Sequence, residues 1–132
     1  MQEKYNNLQE NGNYGKIEIG NYTAELDFAS TFDEAQNIID LENKAAFYNR
    51  GGEGMIADHN YQGASEIINN DILILTLPNG EIKEYEKVEQ LISDSKTWYV
   101  DDKDMLFYRQ DCLLFQTCYE KGLVFVFFIP TN

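Results

Sequence analysis

Residues 112–129 read CLLFQTCYEKGLVFVFFI and carry the clearest indication of the fold class of the chain. It contains two apolar segments, Cys112–Cys118 and Leu123–Ile129, which are joined by the short link 119–122. Apolar runs of this length that contain aromatic and β-branched residues are typical of β-strands. The second run is apolar on both faces, so we expect a strand that is central or covered on both sides. The two segments are therefore predicted to be neighbouring strands.

Alternating polar and apolar residues predict further short strands along the chain. They lie at Lys16–Ile19, Thr23–Ala29, Phe47–Tyr48, Met55–His59, Asp71–Leu77 and Glu81–Val88. The turn signals Gly20-Asn21 and Pro78-Asn79-Gly80 join their flanking strands into hairpins. Ile82, Tyr85 and Val88 break the strict alternation of their strand, which favours a β-bulge.

One main helix is predicted between the first hairpin and the next strand. Thr31-Phe32-Asp33-Glu34 has the form of a capping box, with Thr31 as the N-cap and Glu34 reaching back. The apolar spacing that follows predicts a helix over 33–46. A helical turn or two is expected at Ala64–Asn69, a loop or short helix at 89–96, and a solvated loop at 101–104.

These elements predict a mostly-β chain with one or two short helices. The expected architecture is a closed or nearly closed barrel of seven to eight strands, because closure protects strand edges. Residues 15–132 are predicted to form one domain, since a chain of 132 residues has the length of a single core. Residues 1–14 are predicted to be a flexible N-terminal arm.

The charge of the chain is strongly acidic, with 23 acidic and 10 basic residues and a formal net charge of −13. Such a surface repels a phosphate backbone, which argues against nucleic-acid binding. No stretch approaches the ~20 apolar residues of a membrane span, and the N terminus lacks the apolar region of a signal peptide. We therefore expect a cytoplasmic protein, or an extracellular or cell-surface protein if an export segment was removed.

The chain has one histidine, His59, and two cysteines, Cys112 and Cys118. Six residues of extended chain place the two cysteines roughly 20 Å apart, so we expect no disulfide between them. His59 and Cys118 each close a predicted strand, and if both ends lie at one rim the imidazole stabilises a nucleophilic thiolate. The alternative interpretation is a small buried cysteine and a structural histidine. Cys112 has no second histidine to act with and is expected to be inert.

Residues 15–129 resemble the sortases, the cysteine transpeptidases of Gram-positive cell surfaces. The resemblance rests on ordered short motifs: Gly15-Lys16-Ile17, Ile56-Ala57-Asp58-His59-Asn60, Asn70-Asp71-Ile72-Leu73, Asn79–Tyr85 and Leu113–Cys118. It implies a sortase-like barrel, no metal and no cofactor. It also implies a peptide or protein substrate with a sorting-type motif such as LPxTG, and a thioester on Cys118 that an amine resolves. His59 then serves as acid for the leaving amine and as base for the incoming amine.

Two positions depart from the pattern of that family. Sortases carry an arginine on the last strand that steadies the oxyanion, whereas Leu123 stands at the matching position here. The residue before the histidine is usually glycine in sortases and is Asp58 here. We therefore expect Asp58, Thr117, Lys121 and Arg50 to be the candidates for orienting the histidine or stabilising the oxyanion.

Three functions fit these residues. The first is a sortase-like cysteine transpeptidase or peptidase. The second is a catalytically impaired sortase-fold protein that binds a peptide or a partner protein. The third is an acidic cytosolic interaction module. Reactivity of Cys118 distinguishes the first function from the others, and close approach of His59 and Cys118 separates the first two from the third.

Overall fold

The computed structural model describes residues 15–41, 44–50, 53–58, 61–77, 79–95, 97–119 and 122–131. Within these residues there are ten strands and two helices. In chain order they are β1 (Gly15–Ile19), β2 (Tyr22–Ala29), α1 (Phe32–Leu41), β3 (Ala45–Tyr48), β4 (Met55–Asp58), α2 (Tyr61–Asn69), β5 (Ile72–Thr76), β6 (Ile82–Ser93), β7 (Tyr99–Val100), β8 (Lys103–Asp104), β9 (Leu113–Tyr119) and β10 (Gly122–Pro130).

Eight of the strands close a barrel in the order β1-β2-β3-β4-β9-β10-β6-β5. The pairs β2–β3 and β4–β9 are parallel, and the other six pairs around the barrel are antiparallel. β7 and β8 form a separate two-stranded hairpin. The prediction of a closed barrel is confirmed, and so is the pairing of the last two strands, in which Leu123 lies opposite Cys118.

Helix α1 begins where the capping signal predicts but ends early. The Glu34 N–H donates to Thr31 Oγ1 at 3.0 Å, which confirms Thr31 as the N-cap. The Glu34 carboxylate accepts a bond from the Ser30 hydroxyl at 2.8 Å, so the return bond of the capping box goes to a neighbouring side chain. The helix ends at Leu41 because Ala45 and the residues after it pair with β2 as β3.

Strand β6 is longer than predicted. The expected loop or short helix at 89–96 is wrong, because residues 89–93 pair with the first half of β10. The register between the two strands shifts between Phe127 and Phe128, which lie opposite Glu89 and Lys87. Val88 is the extra residue at this shift, which confirms the predicted β-bulge. The run at 101–104, predicted as a solvated loop, forms the turn of the β7–β8 hairpin and strand β8.

The two faces of β9 and β10 are both buried, as predicted for the last strand. Leu113, Phe115, Val124, Val126 and Phe128 belong to the cluster that fills the barrel interior. The alternate residues of β10 face outwards and lie under the segment 97–112. Among the contacts there, Trp98 packs edge-on against Phe125 at a ring distance of 5.2 Å, and Tyr108 packs against Phe127 at 5.3 Å. This segment is the outer cover of the sheet.

Candidate active site

Cys118 lies near the end of β9, on the outer face of the barrel. Its partner across the antiparallel pair is Leu123, and its side chain packs against the outer apolar cluster that contains Leu123 and Phe125. Cys118 is partly exposed, whereas Thr117 beside it is fully buried. Neither cysteine is in a disulfide, as the sequence predicted. Cys118 is thus a free, partly exposed cysteine at one rim of the barrel.

Strand β4 ends beside the strand that carries Cys118. Asp58, the last residue of β4, is level with Thr117 in the parallel β4–β9 pair. The Thr117 hydroxyl donates a hydrogen bond to the Asp58 carbonyl oxygen at 2.6 Å. This bond ties the end of β4 to β9 one residue before Cys118.

Tyr22, the first residue of β2, is a site residue that the sequence analysis missed. Its hydroxyl donates to the Asp58 carboxylate at Oδ2, and its side chain is 3% exposed. Burial and the neighbouring Asp58 carboxylate raise the pKa of Tyr22 well above its ordinary value, so the hydroxyl remains a donor. Tyr22 stands 36 residues before Asp58, and no local pattern indicates a contact at that separation.

A shallow groove lies on the outer face of β4 and β9, beside helix α1. It is lined by Phe32, Ala35, Gln36, Ile39, Met55, Ala57, Trp98 and Gln116. Gln116 lies two residues before Cys118 on the same strand and therefore on the same face. The lining is apolar apart from two side-chain amides, those of Gln36 and Gln116.

Leu123 offers no hydrogen-bond donor to a group bound at Cys118. Its side chain is 6% exposed and lies opposite Cys118 on the same face of the sheet. Residues that are directly opposite in an antiparallel pair have neighbouring side chains. A longer side chain at position 123 could therefore reach a group bound at Cys118, but this position holds the apolar side chain of leucine.

Arg50 is not brought to Cys118. Its guanidinium donates to four backbone carbonyl oxygens, those of Leu106, Tyr108, Arg109 and Cys112, at 2.8–3.2 Å. Cys112 immediately precedes β9, and the length of that strand separates it from Cys118 by roughly 20 Å. Burial lowers the pKa of Arg50 to about 10. The geometry corrects the expectation of an oxyanion role: Arg50 anchors the outer cover.

Cys112 occupies a different environment from Cys118. It is fully buried in the outer apolar cluster, and burial raises the pKa of its thiol. A raised pKa lowers the fraction of the nucleophilic thiolate. That Cys112 is inert while Cys118 reacts stays a prediction.

His59, Lys121 and residues 1–14 lie outside the described residues. Among the residues that are described, no group of three or more His, Cys, Asp or Glu side chains is arranged to hold a metal ion. The described part of the chain contains two helices, α1 with ten residues and α2 with nine. Neither of them is long enough or apolar enough to span a membrane.

No family model matches the chain, and no curated protein matches it in sequence. Solved structures do match it. The Sortase D5 transpeptidase of Clostridium perfringens is 16% identical, with a TM-score of 0.59 over 91% of this chain and 79% of that protein. Streptococcus pneumoniae Sortase C is 14% identical, with a TM-score of 0.64 over 97% and 73%. Clostridium perfringens sortase C, solved with the C-terminal cell wall sorting motif, is 16% identical, with a TM-score of 0.58 over 89% and 69%. The chain therefore has the sortase fold.

Proposed function

We propose that this protein is a sortase-like cysteine transpeptidase or peptidase that acts on a sorting-type peptide through a thioester on Cys118. The observation that carries the proposal is the position of Cys118: a partly exposed thiol at a barrel rim, on the face that holds the groove, beside the end of β4. His59, the proposed acid and base, directly follows the last residue of β4 in the sequence.

The proposed reaction has two steps. The Cys118 thiolate attacks the carbonyl carbon of the scissile peptide bond, and the tetrahedral intermediate expels the amine, which takes a proton from His59. The thioester is then attacked by an amine, or by water in a peptidase, and His59 accepts the proton of the incoming nucleophile as the thiolate leaves. Asp58 and Thr117 orient the end of β4, and Lys121 is the side-chain candidate for stabilising the oxyanion.

The groove supports a peptide as substrate. Its apolar walls and the amides of Gln36 and Gln116 match an extended segment with small or apolar side chains and free backbone hydrogen-bonding groups. A substrate that follows β9 through the groove brings a peptide bond to Cys118, because Gln116 is two residues from it on the same face.

Covalent capture tests the proposal. A sorting-type peptide that carries a thiol-reactive group in place of the scissile bond should modify Cys118 under native conditions, and mass mapping should locate the adduct. Cys112 is the internal control, because it is buried and its thiol has a raised pKa. Cys118→Ala should abolish the adduct, and His59→Ala should slow its formation. Equal labelling of both thiols, or labelling of Cys112 alone, would contradict the assignment.

A second candidate function is peptide binding without turnover. It is favoured by Leu123, which places an apolar side chain opposite Cys118 where sortases have the arginine that steadies the oxyanion. In that case the unreactive peptide should bind the groove while the reactive analogue modifies Cys118 no faster than a generic alkylating reagent does.

A further inference from the structure

Three strands that are distant in the sequence meet at the rim that carries Cys118. Tyr22 is on β2, Asp58 on β4 and Thr117 on β9. Strand β3 lies between β2 and β4 in the barrel, so Tyr22 reaches Asp58 across a strand rather than from the neighbouring one. Its ring packs edge-on against Phe115 of β9 at 5.9 Å, which directs the hydroxyl across the barrel mouth.

Asp58 accepts hydrogen bonds from two different strands. Its carboxylate accepts the Tyr22 hydroxyl, and its carbonyl oxygen accepts the Thr117 hydroxyl. Tyr22 and Thr117 are both buried, and Asp58 is partly buried, so these bonds are only partly exposed to water. Hydrogen bonds to a charged acceptor are stronger than those between neutral groups. The last residue of β4 is thus fixed in both its side chain and its backbone.

We propose that Tyr22 is a positioning residue for the reaction at Cys118: by binding Asp58 it fixes the end of β4 beside the strand that carries Cys118. The inference rests on the proposed function, since it concerns the groups that act on Cys118. Tyr22 itself touches neither substrate nor Cys118 in this role.

Core filling does not account for the Tyr22 hydroxyl. A phenylalanine ring would occupy the same space and make the same edge contact with Phe115, without a polar atom to bury. Asp58 is the charged group that faces this hydroxyl among the described residues, while Glu66 on the adjacent helix α2 instead accepts the Asn21 N–H at 2.8 Å. The hydroxyl is therefore matched to Asp58 specifically.

The test measures alkylation of Cys118 by iodoacetamide as a function of pH, with the modified site resolved by mass spectrometry. The rate follows the thiolate fraction, which an oriented imidazolium increases. Tyr22→Phe should raise the pH of half-maximal rate by about half a unit, which corresponds to a ~3-fold lower rate near neutral pH. Tyr99→Phe is the matched control, because Tyr99 is 56% exposed on β7. His59→Ala gives the profile of a thiol without the imidazole.

Combining the Tyr22 and Asp58 substitutions distinguishes a positioning role of Tyr22 from a general loss of stability. If Tyr22 acts through Asp58, then Tyr22→Phe should add no further shift in an Asp58→Ala background. Asp58→Ala alone should reproduce the shift, which keeps the test decisive if Tyr22→Phe fails to fold. If the pH–rate profile of Tyr22→Phe equals that of the wild type, while the profile of His59→Ala differs from both, this inference is overturned and the proposed function stands. A wild-type profile identical to that of His59→Ala overturns the proposed function and this inference with it.

Discussion

In the proposed reaction, the residue Leu123 offers no hydrogen-bond donor to the negative charge that develops beside Cys118. It lies opposite Cys118 on the outer face of the sheet and is nearly buried among apolar neighbours. Arg50 binds the carbonyl oxygens of the outer cover at the other end of β9, so it does not substitute for the missing donor. Loss of one oxyanion donor typically costs on the order of 100–1,000-fold in turnover.

Transpeptidation of standard sorting peptides should therefore be slow or undetectable, and Leu123→Arg should increase it. The guanidinium supplies a planar pair of donors from a position whose side chain neighbours that of Cys118. Turnover is measured as formation of the peptide–amine product by mass spectrometry. Leu123→Met is the matched control, because it has similar volume and no donor. Fast turnover of the wild type that survives Lys121→Ala and Arg50→Ala would contradict this account.

At the scale of the elements, the β9–β10 hairpin and β6 form the part of the barrel that presents Cys118. Gly122, the first residue of β10, lies against the last residue of β6: an added Cβ would be 1.7 Å from the Ser93 carbonyl oxygen. No side chain at this position can avoid the contact, since the obstacle is backbone. The close approach aligns the start of β10 with β6, and Leu123 follows directly.

Gly122→Ala should destabilise the protein by about 1–3 kcal/mol, because the two strands must separate to admit the methyl group. Urea unfolding followed by circular dichroism measures the free energy of unfolding. Gly80→Ala is the control: Gly80 lies between β5 and β6 with a φ of 92° and has no atom within 4 Å of an added Cβ, so its cost is backbone strain alone. A Gly122→Ala variant as stable as the wild type would show that the strands can adjust.

At the scale of the whole molecule, the fold must hold a formal net charge of −13 on one small barrel. The ion pairs among the described residues include Lys16–Glu18, Lys44–Glu25, Lys83–Glu53 and Arg109–Glu89. Most of these side chains are at least partly exposed, and exposed pairs contribute little to stability. We therefore expect repulsion among the excess carboxylates to outweigh these pairs and to destabilise the compact state.

Added sodium chloride should stabilise the protein, because salt screens the repulsion between surface carboxylates. We expect about 0.5 M salt to raise the melting temperature by about 3–5 °C, which is roughly 1 kcal/mol for a chain of this size. Thermal melts by circular dichroism measure the change. Replacing the exposed Glu81 and Glu86 by glutamine should reduce the response to salt, whereas a melting temperature that falls with salt would mean that the ion pairs dominate.

The amino-acid sequence alone was sufficient for the barrel class, the pairing of β9 with β10, the N-cap at Thr31 and the presence of a bulge in β6, because alternation and turn chemistry are local signals. The position of the bulge at Val88 is known only from the pairing of β6 with β10. The sequence failed for residues 89–93, which read EQLIS and lack the strict alternation of a strand, because this segment becomes a strand through its pairing with β10. The contacts that build the candidate site join residues far apart in the chain, 36 residues from Tyr22 to Asp58 and 59 from Asp58 to Thr117. Such contacts exist only once the barrel has closed, so no local pattern records them. The same reason explains Arg50, whose isolated position in the sequence gave no sign of the carbonyl groups that it binds.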